Sequence, residues 1–191
     1  MVQVSSDFTA GFLKRWTVDD YHRMIEAGIL TPDDRVELLD GQIVEMVPRD
    51  PPHASRIDDG GDYLKAVFAK RAKVRVQLPV VLAPGSEPEP DFAVVHIDEN
   101  RYRDRHPAPQ DIFLLIEVGD STLKRDVRKA KIYARANICE YWIVDINQQQ
   151  VTILRDPRGG SYQSEQILVK GSQISPLRFP SISISLDHLI F

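Results

Sequence analysis

The sequence of 191 residues holds a single cysteine, Cys139. Without a second thiol an internal disulfide or a zinc knuckle is excluded, and Cys139 is expected to be packed and inert. No apolar run approaches the roughly 18 residues of a bilayer span. The opening stretch MVQVSSDFTAGFLKRW lacks a basic segment followed by an apolar one, so a cytoplasmic protein with no membrane association is expected. Internal repeats, low-complexity tracts, a phosphate-cradling glycine loop and a GxSxG context around Ser121 are also missing. P-loop and serine-hydrolase readings therefore fall away. Nor is there an excess of positive charge: 24 Lys and Arg stand against 28 Asp and Glu, for a net charge of −4. That balance argues against coating nucleic acid by bulk charge.

What is present describes one globular domain. The composition, 42% hydrophobic and 27% charged, supports a packed core. A single domain over 15–191 is expected, preceded by a flexible segment 1–14. Thr17-Val18-Asp19-Asp20 has the spacing of a helix N-cap, and Gly28 supplies a stop, which predicts a helix near 18–27. Arg35 to Met46 reads as a hairpin around Asp40-Gly41, the dipeptide favoured by type I′ turns. Helical spacing runs from His53 to Ala72, interrupted by Asp58-Asp59-Gly60-Gly61. Short β-rich runs follow at Val74–Leu82, Asp91–Ile97, Ile112–Val118 and Glu140–Ile146, with a helix over Val127–Asn137 between the last two. The fold class is α/β (α+β), a mixed central sheet in the order αβββαβ. A C-terminal hairpin is expected from Val151–Arg155 and Gln163–Lys170 around Arg158-Gly159-Gly160, and the tail from Ser172 carries no clear pattern.

Chemistry is suggested at three places. Ile112-Phe113-Leu114-Leu115-Ile116 is a continuous apolar run, the mark of a strand covered on both faces, and Glu117 follows it directly. A carboxylate there is poorly hydrated and needs a cation, a donor network or a raised pKa. Asp91 heads a second apolar run, Phe92-Ala93-Val94-Val95. If the two strands are neighbours, Asp91 and Glu117 can share a hard divalent cation; otherwise Asp91 caps a turn and Glu117 pairs with an arginine. On the following helix, steps of about 100° place Arg128, Lys131 and Arg135 on one arc. Val127, Ala130, Ile132, Tyr133, Ala134 and Ala136 fill the other, and Lys129 falls among them; a lysine there must snorkel out or meet an anion. Asp126 is expected to cap this helix. His53 has no metal spacing around it and reads as structural, and His22, His96, His106 and His188 form no pattern. Basic residues collect in two segments, 65–75 and 124–135, as solvated helix faces or a track for phosphates.

An acid after proline, a strand-end glutamate and a helical lysine in this order of elements resemble the PD-(D/E)XK nuclease superfamily. The wording is closer still to its bacterial family of "putative restriction endonucleases". The segments that carry the resemblance are Glu87-Pro88-Glu89-Pro90-Asp91-Phe92-Ala93, Leu115-Ile116-Glu117-Val118-Gly119-Asp120-Ser121-Thr122-Leu123, and Tyr133-Ala134-Arg135-Ala136 running to Glu140-Tyr141-Trp142-Ile143-Val144-Asp145. Arg35-Val36-Glu37-Leu38-Leu39-Asp40-Gly41 and His53 resemble its upstream signatures. The resemblance implies a restriction-endonuclease-like core and a DNA endonuclease dependent on Mg2+, with Mn2+ as a substitute. Asp91 and Glu117 would be metal ligands and Lys129 the catalytic lysine. Gly119 stands where the superfamily usually has its lysine, so the following helix supplies it, with Lys131 as the alternative to Lys129. Glu37 and His53 are auxiliary candidates, and Lys70, Arg71, Lys73, Arg128 and Arg135 would contact DNA phosphates. A homodimer is expected. The alternative is a catalytically inactive DNA-binding or homodimeric interaction protein on the same fold.

Overall fold

A computed structural model describes residues 13–46, 51–119 and 123–190. Most of the segment expected to be flexible, residues 1–12, lies outside the described residues, as do Ser121 and the side chain of Asp126. Helix α1 (Val18–Glu26) begins at the expected cap: Thr17 Oγ1 accepts from Asp20 N, and the Asp20 carboxylate accepts in return from Thr17 N, both at 3.1 Å. The hairpin of β1 (Val36–Leu39) and β2 (Gln42–Glu45) turns at Asp40 and Gly41, whose φ angles of 51° and 71° are those a type I′ turn requires.

Helix α2 (Pro51–Val67) runs straight through the stretch expected to interrupt it. Asp58 and Asp59 face solvent, and Gly60 and Gly61 are buried against the sheet. A Cβ on Gly60 would come 3.1 Å from the Phe92 ring, and one on Gly61 3.1 Å from Val76 Cγ2, so the paired glycines let helix and sheet approach closely. Strand β3 (Lys73–Val76) is shorter than the expected Val74–Leu82. Gln77 takes a φ of 51° and leaves the ladder, its N–H donating to Asp91 O at 3.0 Å.

Then come β4 (Phe92–Val95), β5 (Ile112–Gly119), α3 (Leu123–Arg135), β6 (Glu140–Asp145), β7 (Gln150–Arg158) and β8 (Ser161–Val169). The six strands from β3 to β8 form one sheet in chain order. Only β5 and β6 run parallel, and α3 crosses between them; every other pair is antiparallel. Alternation along the strands divides the core into two layers. Phe92, Val94, Leu114, Ile116, Trp142, Val144 and Ile153 face α2, and Ala93, Val95, Leu115, Tyr141, Ile143 and Leu154 face Ile132 and Tyr133 of α3. The tail that carried no pattern forms a short pair, β9 (Gln173–Ile174) with β10 (Ile184–Ser185), and α4 (Asp187–Ile190), which add Ile182, Ile184, Leu186, Leu189 and Ile190 to the α2 side.

Two smaller expectations are corrected. Val127 is 52% exposed, because it lies four residues and so about 40° around the axis from the exposed Lys131. Cys139 is exposed, in the connection between α3 and β6 where Asn137 takes a φ of 57° and the neighbouring Ile138 fills the core position. Among the described residues no helix is long and apolar enough to cross a membrane.

Candidate functional site

The register of β4 and β5 decides where the acids fall. Phe92 pairs with Ile116 and Ala93 with Leu115, so the ladder continues to Asp91 opposite Glu117. Strand alternation then puts Glu117 on the same side as Leu115, beneath α3. The two strand ends are stitched together by Asp91 itself, whose Oδ2 accepts from Val118 N at 2.8 Å. Its Oδ1 accepts from Gln77 Nε2 at 3.0 Å, and His53 Nε2 lies 4.0 Å from the same oxygen.

Helix α3 delivers the cation. Lys129 is 4% exposed, and its ammonium donates to Glu117 Oε1 at 2.9 Å while standing 3.1 Å from Glu37 Oε2. Tyr133, one helical turn on, donates its hydroxyl to the same Glu117 Oε1 at 2.8 Å. Glu37 reaches the cluster from β1 and is buried; its Oε2 also accepts from Glu89 N at 3.1 Å. The lysine has met anions rather than snorkelled. Lys131, two residues away, is exposed.

Acids gather around one buried ammonium. Glu37, Asp91 and Glu117 are all buried, and Lys129 contacts both Glu37 and Glu117. Burial pushes the Glu117 carboxyl up to about 8; the charge on Lys129 opposes this, and the charges on Asp91 and Glu37 add to it. Burial by itself would lower the Lys129 pKa, but Glu117 and Glu37 more than reverse that and hold the ammonium charged. Burial raises Tyr133 well above its ordinary value, and the charge on Glu117 adds to that, which keeps its hydroxyl a donor.

Both hydrogen bonds that Glu117 accepts among the described residues fall on Oε1. Among those residues no three His, Cys, Asp or Glu side chains converge as a ready metal cage. Asp91 and Glu117 are instead a pair of hard oxygen donors, which fits magnesium, an ion usually held by one or two carboxylates together with waters and substrate oxygens.

The remaining basic candidates divide. Lys70, Arg71 and Lys73 are exposed around the end of α2 and the start of β3, with Arg71 Nη1 donating to Ser181 Oγ at 3.0 Å. Arg128 and Arg135 engage the hairpin: Arg128 Nη2 donates to Leu39 O at 3.1 Å and Gln42 Oε1 at 2.6 Å, and Arg135 pairs with Asp40. Sequence reasoning passed over Tyr133 as core, although its i+4 spacing from Lys129 carried the signal. It also passed over Gln77, whose role depends on a backbone turn no pattern announces. His22 and His106 flank buried Glu87, at 2.7 and 3.9 Å from its two oxygens, and burial lowers the His106 pKa.

A family model, Uma2, described as "Putative restriction endonuclease", matches residues 18–187. Among solved structures, the chain is similar to one described as "a putative nuclease belonging to DUF820" from Anabaena variabilis. The TM-score is 0.73 and the identity 14%, over 91% of this chain and 97% of that one. At that identity the likeness speaks for the fold, a nuclease-like α+β arrangement around a mixed sheet. No curated protein matches the chain.

Proposed function

Because the chain belongs to the Uma2 family, described as "Putative restriction endonuclease", we propose that it is a cytoplasmic, homodimeric, magnesium-dependent endonuclease that hydrolyses phosphodiester bonds in DNA. The observation that carries this reading is the meeting of Asp91 and Glu117 across the β4–β5 ladder with Lys129 against Glu117. Asp91 and Glu117 would hold the cation, and manganese would substitute for it. When bound, the cation polarises the phosphate and lowers the pKa of a bound water. Lys129 Nζ stabilises the negative charge that develops on the reacting phosphate, its own charge maintained by Glu37 and Glu117. Tyr133 orients Glu117 by donating to Oε1, so that Oε2 is the oxygen presented to a ligand. Gln77 and Val118 N–H fix the plane of the Asp91 carboxylate, each donating to one of its oxygens. Glu37 restrains Lys129, and His53 stands behind Asp91 as an auxiliary group. Exposed Lys70, Arg71, Lys73 and Lys131 contact backbone phosphates without reading sequence, a role that Arg128 and Arg135 share when the hairpin releases them.

The test is cleavage of supercoiled, linear and single-stranded DNA with magnesium, manganese or a chelator. Cleavage only with a divalent cation, together with DNA affinity that falls as salt rises, is the expected result. DNA binding without cleavage under every cation would replace the nuclease with a binding module on the same fold.

A further inference from the structure

The two edges of the central sheet are unlike. At one end β3 has four residues and carries Lys73 and Arg75, and a short basic edge resists pairing with another strand. At the other end β8 spans nine residues with no proline and one charge, Glu165. Its Ile167 and Val169 are 53% and 58% exposed. It carries no proline, lysine or arginine, and its register with β7 is unbroken from Ser164 to Val169.

The ladder also says which backbone groups face outward. Gln150 pairs with Val169, and Lys170 N donates to Gln149 O, so the even-numbered residues 164–170 direct their backbone groups toward β7. Glu165, Ile167 and Val169 therefore aim theirs away from the sheet. Val169 O accepts from Ser172 N in the closing turn, and among the described residues no backbone bond reaches the outward groups of Glu165 and Ile167.

We propose that β8 is the surface of a homodimer, pairing antiparallel with β8 of a second copy to join two six-stranded sheets into one. A second copy is the partner the edge fits, because an antiparallel strand related by a two-fold axis is its own complement and closes after two chains. Pairing β8 to β3 of another molecule would propagate without end, and β3 offers only four residues to it. Opposed residues must share direction, so the axis passes through a residue. An axis at Glu165 sets like charges face to face, which is unfavourable. An axis at Ile167 sets Gln163 opposite Gly171, beyond the end of the strand. An axis at Gln166 sets Glu165 opposite Ile167, keeps both exposed apolar side chains, Ile167 and Val169, inside the ladder, and brings the two Gln166 amides together. The surface rests on the homodimer proposed above and on edge geometry, and involves none of the acid cluster, so its failure leaves the outcome of the cleavage test untouched.

The test is sedimentation velocity of the full chain with two variants. Wild type is expected at twice its 21.7 kDa mass. Ile167→Lys is expected to raise the dimer dissociation constant at least about tenfold, about 1.4 kcal/mol. Its melting temperature in dilute solution should match that of wild type, because the side chain is exposed in the single chain. In a Cys139→Ser background, Gln166→Cys should cross-link on mild oxidation, since the facing pair has Cα atoms roughly 4.5 Å apart, within disulfide reach. A monomer at every concentration would overturn the proposal. So would a dimer that persists in Ile167→Lys while Gln166→Cys fails to cross-link.

Discussion

Lys129 and Lys131 are chemically identical and two residues apart, yet one is enclosed by carboxylates and the other faces water. Lys129→Ala should lower single-turnover cleavage by roughly 100-fold or more, the scale of losing a group aimed at developing charge. DNA affinity, followed by fluorescence anisotropy, should change little. The same variant strands Glu37 and Glu117 without their cation, at a stability cost of about 3–5 kcal/mol in urea unfolding. It also removes the charge that holds Glu117 down, so that carboxyl should move further up and the variant should need higher pH to ionise it. Lys131→Ala should retain turnover and weaken DNA binding a few-fold. Equal cleavage by wild type and Lys129→Ala, with loss in Lys131→Ala, would reverse the assignment. The inward placement of Lys129 was legible from angular spacing alone, because helix geometry is local. The partners of Asp91 were not, because Gln77 reaches it only through a positive φ and a long-range approach.

The hairpin formed by β1 and β2 brings Glu37 to the site, and α3 grips it through Arg128. Arg128→Ala removes two hydrogen bonds, and bonds to a charged group are worth about 1.5–3 kcal/mol. Amide exchange should therefore accelerate by roughly tenfold or more in residues 36–45, while the central strands keep their protection. Uniform acceleration across the chain would show that Arg128 supports the whole fold instead of this element. Asp40-Gly41 announced the hairpin because the turn chemistry is written in two adjacent residues. Gly60-Gly61 misled for a related reason: glycine weakens an isolated helix, and its use here, in letting α2 lie close to Phe92 and Val76, depends on a surface contributed by later strands.

For the whole molecule, Glu140 joins regions that share little local sequence. It is fully buried and accepts from Trp142 Nε1 at 3.0 Å, Arg155 Nε at 2.9 Å and Leu177 N at 2.7 Å, tying β6, β7 and the C-terminal tail together. Glu140→Ala leaves these donors unmatched and should cost about 3–5 kcal/mol. Calorimetry should register a fall in Tm on the order of 10 °C for a domain of this size. An unchanged Tm would mean the tail packs without it. That tail was illegible in the sequence because its short pieces acquire structure only from what they cover. A comparable junction lies at the hairpin tip, where Gly41 N donates to Gly85 O at 2.6 Å and Gly41 O accepts from Trp16 N at 2.9 Å. A Cβ on Gly41 would stand 2.8 Å from Arg15 Cβ. Hairpin tips commonly absorb insertions and substitutions during divergence, since they project into water. Here three distant stretches of chain meet at the tip, so the ordinary map of evolutionary freedom is inverted: drift can proceed at exposed Glu45, at the far end of β2, but the turn cannot lengthen without prising the segment at Arg15 and Trp16 from the hairpin.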